Sequence, residues 1–252
     1  MSEPTTPENP HQSQQDELEW RYTPPPTVYD LIRDNIVVRA LRLVAHLLAR
    51  TSMCCYHQLR VIGGKNFLKS RPCIITPNHS SHLDAIAVFA SLPIWHVNET
   101  WSVAAKDYFF ENPNMAMIAR LVANCIPVDR IGDSRRGLML CARKLKEGRN
   151  LVIFPEGTRS TTGQIGTFQP GAVMLSRGLK VPIVPAYIKG TRESLAKSRY
   201  FPRGERITVV FGRAVRFWEG NLANLDHASA ARYLEDRVRV LQREHENPEQ
   251  KT

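Results

Sequence analysis

The chain has little of what builds secreted or membrane-crossing scaffolds. Its five cysteines, Cys54, Cys55, Cys73, Cys125 and Cys141, are odd in number and form no C-x-x-C pair. That argues against a disulfide framework and a zinc site, and for a reducing compartment. No run of about 18 apolar residues is free of charge, which excludes an ordinary membrane-spanning helix. The polar, acidic N-terminus does not read as a secretory signal, and no internal repeat marks a solenoid. The first 20 residues lack Lys and Arg but carry Glu3, Glu8, Asp16, Glu17 and Glu19, so the rest of the chain holds +15 of a net +10. A body this basic seeks an anionic partner: nucleic acid, an anionic membrane or a phosphorylated substrate. The nucleic-acid reading lacks an interleaved aromatic–basic motif and a set of metal ligands. No nucleic acid, metal or cofactor is therefore expected.

At 252 residues and 42% apolar, the sequence suffices for one sizeable core. Residues 1–26 are rich in Pro, Gln, Ser and Thr and end in Pro24-Pro25-Pro26, so a disordered N-terminus is expected. Residues 27–58 form an amphipathic segment, helical over 28–55. Arg39, Arg42, His46 and Arg50 fall in one wedge of roughly 80°, with Val37, Val38, Leu41, Val44, Leu47 and Leu48 around the rest. Two readings stay open: a membrane-interface helix with its cations towards lipid headgroups, or a helix packed on the core with a solvated arginine face.

From residue 59 to 252 apolar runs alternate with helical patterns. Strands are expected over 59–63, 73–77, 101–105, 125–128, 151–154, 183–188 and 207–211. Ser134 and Asp226 are candidate helix caps, the second leading a face of Ala231, Leu234, Val238 and Leu241. The alternation predicts an α/β fold: a mixed, mainly parallel sheet covered by helices.

In such sheets ligands gather where strands run into helices. One junction is Thr76-Pro77-Asn78-His79-Ser80-Ser81-His82-Leu83-Asp84. A histidine there can take a proton from an alcohol, and a carboxylate can hold its tautomer. The same spacing also fits a capping box, with Ser81 as cap and Asp84 at the third helical position. His82 competes with His79. A second junction, Phe154-Pro155-Glu156-Gly157-Thr158-Arg159-Ser160, offers an acid, a glycine and a guanidinium fork suited to phosphate, or a solvated Glu–Arg turn. Arg130 and Lys106 each follow another strand-like run. Three such cations could converge on one anion, or each be a surface charge.

Taken in order, Asn-His-x4-Asp, Pro127-Val128-Asp129-Arg130, Phe-Pro-Glu-Gly-Thr-Arg-Ser and Val181-Pro182-Ile183-Val184-Pro185 resemble the four blocks of the glycerolipid acyltransferase family that includes 1-acylglycerol-3-phosphate acyltransferases. The resemblance covers about residues 60–212. It implies a catalytic domain in which His79 is the general base and Asp84 its partner. Arg159, Arg130 and Lys106 bind the substrate phosphate, while Glu156, Gly157 and Thr158 shape the acceptor pocket. It implies lysophosphatidate or a related lysolipid as acceptor, acyl-CoA or acyl-carrier protein as co-substrate, and phosphatidate as product. An amphiphilic acceptor and product, together with the basic amphipathic segment, lead to the expectation of peripheral or monotopic attachment to the cytoplasmic face of a membrane with an anionic surface.

Overall fold

A computed structural model describes residues 36–105, 121, 123–128, 134–195 and 201–247. The expected disordered tail, the first part of the amphipathic segment, Lys106 and Arg130 lie outside the described residues.

All seven expected strands form: β1 Arg60–Ile62, β2 Ile74–Pro77, β3 Thr100–Ala105, β4 Ile126–Val128, β5 Asn150–Val152, β6 Ile183–Lys189 and β7 Thr208–Phe211. They make one sheet in the order β1-β7-β6-β2-β5-β3-β4. β6 and β7 run antiparallel, and every other neighbouring pair is parallel. β5 stops two residues before the expected end, and the chain turns into the following loop at Pro155-Glu156.

The continuous apolar runs have a structural cause. Ile75, Val152, Val184 and Val209 pack on one side of the sheet, and Ile74, Leu151, Ile183 and Val210 on the other. Strands covered on both faces cannot alternate apolar with polar residues. Helix α1 is Ile36–Cys55, α2 Gly64–Leu68, α3 Leu83–Ser91, α4 Ile94–Val97, α5 Ser134–Lys146, α6 Gly171–Leu179, α7 Thr191–Ser194 and α8 His227–Glu246. On α8, Asp226 accepts from the Ser229 amide at 2.8 Å, and Ala231, Leu234, Val238 and Leu241 are buried, as their spacing predicts. All five cysteines are free thiols.

Helix α1 forms, but it faces the opposite way from both sequence readings. Arg42 is only 1% exposed and donates to Asn98 Oδ1 at 2.9 Å. His46 is buried beside it. Arg50 donates to the Ala90 carbonyl at 2.6 Å. That carbonyl lies in the last turn of α3, where backbone acceptors lack helical partners and the dipole is negative. Arg42 and His46 thus point into the protein, and Arg50, although exposed, reaches back to it. Outward point Val37, Leu41, Val44, Leu47 and Leu48, the last 68% exposed. The placement of Arg42 and Arg50 against headgroups is therefore corrected: α1 packs on α3 and α4, and their acceptors claim the cations. No helix among the described residues is long and apolar enough to cross a membrane.

Candidate active site

β2, β5 and β6 lie side by side and parallel, so all three release their chains at one edge of the sheet. β2 leads into the His79–Asp84 loop, β5 into the Glu156–Arg159 loop, and β6 into α7. β2 and β3, consecutive in sequence, are separated in the sheet by β5, and α/β sheets bind ligands at the carboxyl ends of their strands where the strand order breaks in this way.

His79 Nδ1 lies 2.9 Å from Asp84 Oδ2. Asp84 is fully buried, on the first turn of α3. The same Oδ2 accepts the Ser80 amide at 2.6 Å and the Ser81 amide at 2.8 Å, while Ser81 Oγ accepts the Leu83 amide at 3.1 Å. The acid's half of a capping box, Asp84 accepting the Ser81 amide, is therefore present together with the histidine contact, while the Asp84 amide itself donates to the Ser81 carbonyl at 3.3 Å. The two readings of this spacing are not alternatives, since one carboxylate shapes the turn and holds the imidazole. With Nδ1 engaged, Nε2 is the nitrogen able to meet a substrate hydroxyl. The ring stacks on Phe154, with centroids 4.2 Å apart, and its side chain is 20% exposed.

The loop after β5 wraps the same histidine. The His79 amide donates to Glu156 Oε1 at 2.8 Å, and the His79 carbonyl accepts from the Ser160 amide at 2.8 Å. Glu156 Oε2 accepts the Gly166 amide at 3.0 Å. Glu156 is buried, so the solvated Glu–Arg turn is not what forms. Burial pushes its carboxyl above the ordinary value, against the pull of the two amides. Both of its oxygens brace the backbone, and Gly157 and Thr158 beside it are exposed. Gly157 has φ +69°, a left-handed conformation that favours glycine where the strand's exit turns.

His82 meets the loop after β5. Its Nε2 accepts from Arg159 Nη1. Burial lowers its proton affinity, with Arg159 and then His79 adding to the effect. A neutral His82 thus holds one arm of the guanidinium beside the His79 loop. Of the sequence candidates, His79, Asp84, Glu156, Gly157, Thr158 and Arg159 are brought to one edge. β3 and β4 end at the same edge, but Lys106 and Arg130 beyond them lie outside the described residues. Sequence reasoning missed Phe154, Thr191 and the support role of His82. Phe154 reads as strand core. Thr191 donates from Oγ1 to Asp84 Oδ1 at 2.5 Å across 107 positions, with no motif to mark it.

The family model described as Acyltransferase matches residues 58–189, more than half of the chain. A chloroplastic 1-acyl-sn-glycerol-3-phosphate acyltransferase, BAT2, of Brassica napus is 28% identical over 151 residues, 59% of this chain and 42% of that protein. A 1-acyl-sn-glycerol-3-phosphate acyltransferase of Cocos nucifera is 28% identical over 192 residues, 74% of this chain and 60% of that protein. The chain thus spans about half the length of these relatives. The crystal structure of the 1-acyl-sn-glycerophosphate (LPA) acyltransferase PlsC from Thermotoga maritima superposes with a TM-score of 0.68 at 20% identity, covering 93% of this chain and 89% of that one, a likeness of fold. The matched span carries both the His79–Asp84 pair and the Arg159 loop at one sheet edge, and by it the chain belongs to the acyltransferase family.

Proposed function

We propose that the protein transfers a fatty acyl group from a thioester to the free hydroxyl of 1-acylglycerol 3-phosphate, forming phosphatidate. The observation that carries this reading is the 2.9 Å His79–Asp84 contact beside Arg159 at the shared exit of β2 and β5. Arg159, with Arg130 and Lys106, binds the acceptor phosphate, whose charge of about −1.5 to −2 suits a guanidinium fork. The acceptor hydroxyl lies at His79 Nε2, which removes its proton as the oxygen attacks the thioester carbonyl. Asp84 stabilises the imidazolium so formed. Collapse of the tetrahedral adduct breaks the C–S bond, and the imidazolium returns the proton to the departing thiolate. The alcohol is itself the nucleophile, so no acyl-enzyme is needed. Glu156, through the His79 and Gly166 amides, keeps the two loops in register, and much of the rate comes from such positioning. Gly157 and Thr158 line the acceptor pocket.

The enzyme works at the cytoplasmic face of a membrane. Support comes from the outward apolar face of α1 and from Trp95, 68% exposed on the neighbouring α4. An amphipathic helix of this kind rests in the headgroup–acyl boundary. Basic residues elsewhere favour an anionic surface.

The test is acyl transfer by purified protein with labelled acyl-CoA or acyl-carrier protein and a panel of glycerol 3-phosphate, lysophosphatidate and other lysolipids. Phosphatidate formed from lysophosphatidate, and lost in His79→Ala, is the expected result. Preference for glycerol 3-phosphate or a phosphate-free lysolipid would overturn the acceptor assignment.

A further inference from the structure

The segment leaving β6 grips the His79–Asp84 loop at three points. Asn78 Oδ1 accepts the Ile188 amide at 2.7 Å, and its Nδ2 donates to the Ile188 carbonyl at 3.1 Å. Ser81 Oγ donates to the Leu195 carbonyl at 2.7 Å. Between them, Thr191 Oγ1 donates to Asp84 Oδ1 at 2.5 Å. The first two contacts fix the start and the middle of the loop, and only the third reaches the carboxylate that holds the imidazole.

Thr191 and Asp84 are both fully buried. Oδ2 takes His79 and two backbone amides, all arriving from the loop itself. The Thr191 hydroxyl supplies the bond on Oδ1 from α7, which follows β6. A carboxylate held on both oxygens cannot rotate about its Cβ–Cγ bond, so Oδ2 stays in line with Nδ1. The backbone is built to bring the hydroxyl there. Gly190 turns β6 into α7 at φ +90°, where a Cβ would lie 2.0 Å from the Arg206 carbonyl oxygen. Glycine alone makes that turn without displacing the backbone, and the next residue is Thr191.

We infer that Thr191 is a positioning residue for acyl transfer, acting through Asp84 on His79. This rests on the reading of His79 and Asp84 as the general-base pair. A hydrogen bond to a charged group that orients a reacting base is expected to matter to the chemical step and not to acceptor binding. The Thr191→Val variant keeps shape and removes the hydroxyl, while Thr191→Ser keeps the hydroxyl.

The experiment is steady-state kinetics on both variants in the full chain, with thermal melting and with His79→Ala as control. Thr191→Val is expected to lower kcat about ten- to a hundredfold with the acceptor KM within about twofold, and Thr191→Ser to recover kcat to within about threefold of the parent. In an Asp84→Ala background, Thr191→Val should add little. If His79→Ala keeps its activity, the general-base reading itself fails. If His79→Ala is dead but folded Thr191→Val has the parent kcat, or Thr191→Ser is as impaired as Thr191→Val, the inference about Thr191 fails alone. Should Thr191→Val not fold, Thr191→Ala removes the same hydroxyl and carries the same expectation. Loss of the fold in both would overturn the inference in favour of a purely structural role.

Discussion

Replacing Asp84 with Asn separates two jobs of a carboxylate that accepts four hydrogen bonds. His79 Nδ1, the Ser80 amide and the Ser81 amide converge on Oδ2, and Thr191 Oγ1 meets Oδ1. An Asn offers one oxygen and one NH2 group. The two backbone amides can only donate, so they select the oxygen for the Oδ2 position. The Thr191 hydroxyl can turn and accept, so it tolerates the NH2. The variant therefore keeps the Nδ1–H tautomer and loses the negative charge beside the imidazolium. A hydrogen bond to a charged group contributes about 1.5–3 kcal/mol and a neutral one about 0.5–1.5. The loss at His79 is thus about 1–2 kcal/mol, or roughly five- to thirtyfold in kcat. Where an Asn inverts the tautomer of a catalytic histidine, the cost is about 10⁴. Steady-state kinetics on folded Asp84→Asn distinguishes the cases. A loss near 10⁴ refutes the tautomer argument, and parental kcat refutes any role for the charge. Asp84→Ala leaves the Ser80 and Ser81 amides without their acceptor, at about 1–3 kcal/mol each, so its unfolding free energy should drop by about 2–6 kcal/mol.

Arg159→Lys should raise the acceptor KM far more than the donor KM, since an ammonium cannot reproduce the fork; equal effects on both substrates would remove Arg159 from phosphate binding. His82→Ala should retain much of kcat while raising the acceptor KM, because Arg159 loses the nitrogen that supports it; a loss of kcat matching His79→Ala, about two to four orders of magnitude, would make His82 the base. On α1, Arg42→Glu should destabilise the fold by about 3–5 kcal/mol through an uncompensated buried charge. Leu47→Glu with Leu48→Glu should leave the melting temperature nearly unchanged but reduce flotation with anionic vesicles; undiminished flotation would reject the apolar face as the lipid contact. Acid should destabilise the protein through His46, His82 and His96, each held below the ordinary value of 6.5, by burial first. In the fold they stay neutral while the unfolded chain takes up protons below about pH 6.5, so stability present above that pH is lost on acidification. The Tm should fall between about pH 7.5 and 5.5, less steeply in His46→Leu, whose parent ring nitrogens are buried without hydrogen-bond partners among the described residues; a flat profile would refute this.

Local chemistry was legible in the chain by itself. Seven apolar runs became seven strands, the central ones because residues covered on both faces must be apolar throughout, and the Asp226 cap and the buried face of α8 followed from helical spacing. The pairing of His79 with Asp84 was legible because both sit in one turn, where five positions of separation bring side chains together. Which way α1 faces was not. A helical wedge of Arg42, His46 and Arg50 separates polar from apolar sides but carries no sign. The sign came from Asn98 and the α3 carbonyls, acceptors 40 or more positions away that claim the cations and leave the leucines outside. Nor could the sequence say that Glu156 would brace the His79 amide, that Arg159 would lean on His82, or that Thr191 would reach Asp84. Each of those contacts depends on β2, β5 and β6 lying side by side and parallel. Strand order is set by packing across the whole sheet, which no local pattern of residues encodes.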